Sequence, residues 1–193
     1  MIGKIRSDFE SNLLAIVAAT PWLLEVLAAV RAVGLPNCYV AAGAIRNTVW
    51  NALHGSPSEA SFGDIDVVYF DPADAPNTAQ HQLSAKFPQY TWDVANQATI
   101  HQWQSADAGR PISAYTSIES ALASWPETAT AIAVRMDGNG NIEFIAPFGL
   151  SDLFELKVRP NPHASNPAAF QARQLAKGWQ KRWPRLRVVH GFG

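Results

Sequence analysis

A single cysteine, Cys38, occurs in 193 residues, so no disulfide can form within the chain. That excludes a small scaffold stapled by bridges and makes a reducing cytoplasm the expected compartment. Cys38 precedes the apolar run from Tyr39 to Ala42, where a thiol packs as a small hydrophobe rather than acting as a nucleophile. Charge is also sparse. Only 16% of residues are Asp, Glu, Lys or Arg and the net charge is −1, which argues against holding a long nucleic acid mainly by electrostatics. Long hydrophobic runs are missing too. Glu25 and Arg31 interrupt the most apolar region, so nothing reaches the roughly 18 to 20 apolar residues of a membrane span. Lys4, Arg6, Asp8 and Glu10 leave no charged-then-apolar order of the kind a signal peptide needs, and a soluble protein is expected. Repeats and low-complexity tracts are absent.

What remains is 48% hydrophobic, at a length that suits one domain spanning residues 1–193. The expected division is N-terminal helices over 1–36, an α/β core over 37–158 and a basic C-terminal segment over 159–193. The basic end is marked: no acidic residue follows Glu155, while Lys157, Arg159, Arg173, Lys177, Lys181, Arg182, Arg185 and Arg187 do.

Apolar positions at Ile5, Phe9, Leu13, Ile16 and Val17 predict a helix over 5–19. Thr20-Pro21 then reads as an N-cap with proline in the first turn, opening a second helix that Gly34 and Pro36 stop. The run CYVAAG predicts a short buried strand ending at Gly43, and AIRNTVWNALHG returns to helical spacing. After the polar loop SPSEASFG, β-branched and aromatic residues make DIDVVYFD the strongest strand. A helix is expected from about Asp74 to Phe87, a strand in YTWDVAN and a short helix in QATIHQW. Apolar runs on either side of Asp137-Gly138-Asn139-Gly140 predict a hairpin. Then GLSDLFELKV reads as a short helix, RPNPHASNP as a connection and Pro167 to Trp183 as an amphipathic helix. This order predicts an α/β (α+β) fold, a mixed β-sheet flanked by helices.

Strand alternation puts Asp64 and Asp66 on one face and Ile65, Val67 and Tyr69 on the other. The Cβ atoms of the two aspartates are then about 6 to 7 Å apart. Unneutralised, the pair would repel and one carboxyl would hold its proton. Oxygen-only ligands of this kind suit Mg²⁺ or Mn²⁺ rather than zinc. The plainer alternative is two aspartates at the solvated start of a strand. Asp93, between Trp92 and Val94, points away from its apolar neighbours, either as a third acid or as a partner for a surface cation. Upstream, a strand that ends in Gly43 and opens a helix presents backbone N–H groups and a positive dipole end to anions. Ala44 keeps the side chain small there. Arg46 shares a helix face with Trp50 and His54; it suits a phosphate clamp or an internal pairing, and the other two read as packing residues.

In that order, these residues resemble the nucleotidyltransferase superfamily of the DNA polymerase β type. Its hallmark is a glycine-containing strand-to-helix turn, then Asp-x-Asp, then a third acid on a neighbouring strand. The stretch AAGAIRN is similar to the Gly-Gly-x-x-Arg-Asp turn of the tRNA nucleotidyltransferase and poly(A) polymerase branch. Together, GAIRNTVWNALHG, FGDIDVVYFD, WDVANQATIH, PETATAIAVR and IAPFGLSDLFELKVRPNP resemble a small bacterial family of uncharacterised nucleotidyltransferases, over about residues 38 to 183. Ala44 stands where a Gly or Ser is usual, Asn47 where the tRNA-type branch has Asp, and the loop from Gly43 to Asp64 is longer. The resemblance implies metal-dependent transfer of a nucleoside monophosphate from a nucleoside triphosphate, with loss of pyrophosphate, to an unidentified acceptor: a small molecule, a protein or a short RNA. Asp64, Asp66 and Asp93 would be the catalytic, metal-holding acids, with Mg²⁺ (or Mn²⁺) as cofactor. Gly43, Ala44, Arg46 and Asn47 would face the nucleotide phosphates.

In the last predicted helix, Leu175, Ala176, Trp179 and Trp183 form an apolar face, and Arg173, Lys177 and Lys181 form a basic stripe. Either solvent or an anionic ligand would satisfy that stripe. Two other functions stay open on the sequence: a nucleotide-binding module without chemistry, to which Ala44 points, and a nucleic-acid or protein interaction domain working through the basic helix.

Overall fold

The computed structural model describes residues 8–57, 63–108, 111–163 and 167–189. Helices α1 (Asp8–Ala18) and α2 (Pro21–Val33) open the chain and bend by 89° where they meet. Pro21 begins α2, and Gly34 ends it in the left-handed conformation at φ +77°. Thr20 holds the N-cap position of α2 as the sequence suggests, but without a side-chain capping bond. Its hydroxyl donates to the Ile16 carbonyl at 2.7 Å, closing α1 instead. No single helix among the described residues is long and apolar enough to cross a membrane.

Then follow β1 (Tyr39–Ala41), α3 (Gly43–His54), β2 (Asp64–Tyr69), α4 (Ala79–Lys86), β3 (Thr91–Asn96), α5 (Ile100–Ala108) and α6 (Ile118–Leu122). The hairpin β4 (Ala133–Met136) and β5 (Ile142–Ile145) turns at Asp137-Gly138-Asn139-Gly140 as predicted. Helix α7 (Ser151–Phe154), strand β6 (Lys157–Val158), helices α8 (Pro167–Lys177) and α9 (Trp179–Arg182), and strand β7 (Arg187–Val188) complete the chain. Five strands form one mixed sheet in the order β3-β2-β1-β4-β5, in which only β2 and β3 run parallel. One face carries Val40, Ile65, Val67 and Val134 into the main core with α1, α2, α3 and the C-terminal aromatics. On the other face Tyr39, Ala41, Val68 and Ala133 pack against Ile118 and Leu122 of α6. Alternation places Asp64 and Asp66 on this second face, at the end of β2 that α6 leaves open.

Four local expectations change. Helix α4 starts at Ala79, not near Asp74, because the Asp71 carboxylate accepts hydrogen bonds from the Ala73 and Ala75 N–H groups and holds that stretch as a turn. The expected helix through GLSDLFELKV stops at Phe154, and Lys157–Val158 pairs in parallel with Arg187–Val188. The long C-terminal helix is broken at Gly178, which sits at φ +57°. Leu175, expected on its apolar face, is 84% exposed, and Ala176 is exposed as well. Most of the SPSEASFG loop, Ile5 and residues 164–166 lie outside the described residues.

Candidate active site

Asp66 lies opposite Ala41 on β1 and in parallel register with Asp93 on β3. Register, rather than side-chain flexibility, therefore brings the acids together: Asp64, Asp66 and Asp93 each offer a carboxylate oxygen within 4.8 Å of the others. Asp64 and Asp93 are exposed and Asp66 is partly buried. Burial, reinforced by the charges of Asp64 and Asp93, pushes the Asp66 carboxyl up to about 6. Arg46 and a hydrogen bond from the Gly43 backbone N–H pull it the other way. Three hard oxygen donors converging with only part of their repulsion offset fit a divalent cation such as Mg²⁺ or Mn²⁺.

The corner from β1 into α3 is made at Ala42, one residue before the glycine. Ala42 adopts φ +49°, ψ −120°, a conformation L-residues rarely take, and is held there from both sides. Its N–H donates to the Ile132 carbonyl at 3.0 Å and its carbonyl accepts from the Arg46 N–H at 2.9 Å. Gly43 itself is not at positive φ, and a Cβ there would meet only ordinary contacts with Asn47 and Arg46. Its N–H, expected to face phosphate, is engaged by Asp66.

Arg46 is almost fully buried, stacked with its guanidinium 5.0 Å from the Trp50 ring centre and 4.4 Å from that of Trp179. Its Nε and Nη2 donate to Asn47 Oδ1 at 3.1 and 2.8 Å, and its Nη1 donates to Thr130 Oγ1 at 2.8 Å. Burial lowers it to about 10, opposed by the nearby charges of Glu127 and Asp66 and assisted by that of Arg173. Three of its five N–H groups are thus committed inside the protein, and two remain for the cleft that Arg46 helps to line. Trp50 and His54 pack as the sequence suggests. Trp50 is fully buried and donates to the Leu153 carbonyl, while His54 bridges the Trp50 carbonyl and the Arg185 N–H.

These groups border a cleft of about 460 Å³. Gly43, Arg46, Asn47, Asp64, Asp66, Trp125 and Pro126 are among the residues that line it. Arg173, Lys177, Trp179 and Arg182 of α8 and α9 complete the lining, Trp179 lying directly against the Arg46 guanidinium. Of the residues singled out in the sequence, Ala44 alone in the glycine turn is withdrawn from the cleft, being fully buried in the core. Asp93 joins the acids but not the cleft lining. Sequence reasoning missed Ala42, Thr130 and Glu127. The alternating polar residues of PETATA, set in an apolar stretch, are the signal that marks the last two. Cys38 is only partly exposed, and burial pushes its thiol up to about 12, consistent with an inert side chain.

A profile of proteins described as nucleotidyltransferases matches residues 28–188. The chain belongs to the nucleotidyltransferase family. A protein whose NMR structure reveals a CCA-adding enzyme head domain is 31% identical to it, with a TM-score of 0.80 over 94% of this chain and 96% of that one. A CCA-adding enzyme in complex with CTP superposes with a TM-score of 0.56 at 19% identity, over 95% of this chain and 44% of that one. An apo CCA-adding enzyme gives 0.55 at 16% identity, over 91% and 42%. At these identities the last two share the fold, and this nucleotidyltransferase spans less than half of their length. No curated protein matches it.

Proposed function

We propose that this nucleotidyltransferase transfers a nucleoside monophosphate from a nucleoside triphosphate to an acceptor hydroxyl, dependent on Mg²⁺ or Mn²⁺ held by Asp64, Asp66 and Asp93. The acceptor oxygen forms the new bond to the α-phosphorus, the bond to the β-phosphate oxygen breaks, and pyrophosphate leaves. A bound divalent ion supplies neutralisation of phosphate charge during this in-line displacement. The observation that carries the proposal is the convergence of three carboxylates, from two strands in register, two of them lining a cleft that Arg173, Lys177 and Arg182 also line. Asp66, partly buried, lines the cleft with Gly43, Arg46 and Asn47 and gathers with the other two acids. Asp93, exposed and outside the cleft lining, would orient the acceptor hydroxyl and take its proton. Gly43, Arg46 and Asn47 line the side along which the phosphates run, Arg46 through its two uncommitted N–H groups. Ala44 supports this turn from the core.

The test is incubation with labelled nucleoside triphosphates, CTP among the first because a related fold binds it, together with candidate acceptors from a cell extract. Label should transfer only with Mg²⁺ or Mn²⁺ present, and Asp66→Ala should reduce it by about three orders of magnitude. Equal labelling by both proteins would remove the carboxylates from the chemistry. Mg²⁺-dependent binding without any transfer would leave a nucleotide-binding module in place of an enzyme.

A further inference from the structure

Solvent or an anionic ligand would each satisfy the basic residues near the C-terminus, and the break at Gly178 divides them into two groups. In one continuous helix Arg173, Lys177 and Lys181 would fall on a single stripe at four-residue spacing. The left-handed turn at Gly178 redirects the chain instead. Arg173 and Lys177 of α8 then share the cleft wall with Arg182 of α9, while Lys181 turns away to a separate hollow with Val158 and Leu175. The wall is fixed by two buried anchors. Arg173 donates from Nε to Glu127 Oε1 at 2.7 Å, and Glu127 is fully buried. Trp179 is clamped between the Arg46 guanidinium and an edge-on contact with Trp50, ring centres 5.7 Å apart.

The wall therefore holds its cations in unequal states. Arg173 is neutralised by Glu127. Lys177 is exposed, lines the cleft and makes no ion pair among the described residues, and Arg182, stacked over Trp183, stands beside it on the same wall. A long, exposed side chain ending in a compact ammonium, lining the same cleft as the Asp64 and Asp66 carboxylates, is suited to a polyphosphate whose other side is shared with divalent ions.

We infer that the α8–α9 wall is the polyphosphate-binding subsite of this cleft, with Lys177 and Arg182 contacting the β- and γ-phosphates. This rests on the proposed nucleotidyl transfer, and it adds the cations of the C-terminal helices to Arg46, three of whose five N–H groups are already committed inside the protein.

Inorganic tripolyphosphate in Mg²⁺ buffer, titrated calorimetrically into the full chain, tests the subsite independently of base preference. Lys177→Ala and Arg182→Ala should each weaken binding about tenfold. Lys177→Arg should keep most of the affinity. Lys181→Ala removes the same charge a few residues away but outside the cleft, so it should change affinity less than twofold at 150 mM salt. Nucleoside monophosphate binding should be the same in all four variants. Wild-type affinity in Lys177→Ala and Arg182→Ala, or an equal loss in Lys181→Ala, overturns the assignment. If wild type still transfers labelled nucleotide, such a result sinks the subsite alone; if wild type binds neither tripolyphosphate nor any Mg²⁺-nucleotide, both fall.

Discussion

Ala42 occupies a backbone conformation that costs an L-residue on the order of 1 to 3 kcal/mol and that glycine tolerates freely. The cost persists because β4's lead-in residue Ile132 and the first turn of α3 hold both ends of its peptide. Ala42→Gly should therefore raise the stability of the fold by about 1 kcal/mol, after the loss from a more flexible unfolded chain. Thermal unfolding followed by circular dichroism measures it, and a lower midpoint would show the corner to be unstrained. Asp66 carries the opposite kind of strain. Its carboxyl is raised to about 6 in the folded protein from an ordinary 3.8. Between those values the folded state binds more protons than the unfolded one, so stability falls as pH rises through that window and the penalty is complete above about 6. In EDTA at pH 7.5, Asp66→Asn should then be more stable than wild type by on the order of 2 kcal/mol, and the gap should close toward pH 4. Added Mg²⁺ should stabilise wild type and leave the variant unchanged. Urea unfolding at the two pH values decides it; a variant weaker than wild type at pH 7.5 would mean that burial and the neighbouring acids do not disfavour the Asp66 carboxylate.

At the level of elements, α8 is joined to the core by a contact that no local pattern announces. Glu127 is fully buried, one of its oxygens has no partner, and the other depends on Arg173, 46 residues away. Removing Arg173 strands a buried charge. Arg173→Ala should cost about 3 kcal/mol, and adding Glu127→Gln to it should restore part of the loss, since a neutral amide is less costly to bury. Chemical denaturation of the two variants checks the order; an additive double variant would deny the coupling. The same elements separate what sequence can specify from what it cannot. The strand Asp64–Tyr69 was legible because β-branched and aromatic residues dominate it, and α3 because a glycine, an apolar face and a second glycine bound it. The break at Gly178 was not, since a lone glycine within a helical pattern is usually tolerated. Nor were β6 and β7, two residues each, which exist only because they pair with one another.

Over the whole molecule, the order of the glycine turn and the Asp-x-Asp strand made the acidic side of the site readable, and the crossover helix between β2 and β3 is what sets Asp93 beside Asp66. The cationic side was hidden. Residues 1–155 hold all sixteen acids against seven Lys and Arg, and the remainder holds eight cations and no acid, a division that looks like a body with a basic tail. The tail in fact belongs to the core. Phe170, Trp179, Trp183 and Leu186 are buried in the same cluster as Leu13, Val40 and Trp50, and the Trp183 indole donates to Asn51 Oδ1 at 2.9 Å across 132 residues. Each large apolar side chain removed from such a core forfeits about 1.5 to 3 kcal/mol. Four of them approach the whole net stability of an ordinary domain, about 5 to 15 kcal/mol. A chain ended after His163 should consequently lose cooperative unfolding altogether, not merely polyphosphate affinity. Differential scanning calorimetry distinguishes these outcomes: a sharp transition with only the ligand response gone would make residues 164–193 a detachable arm.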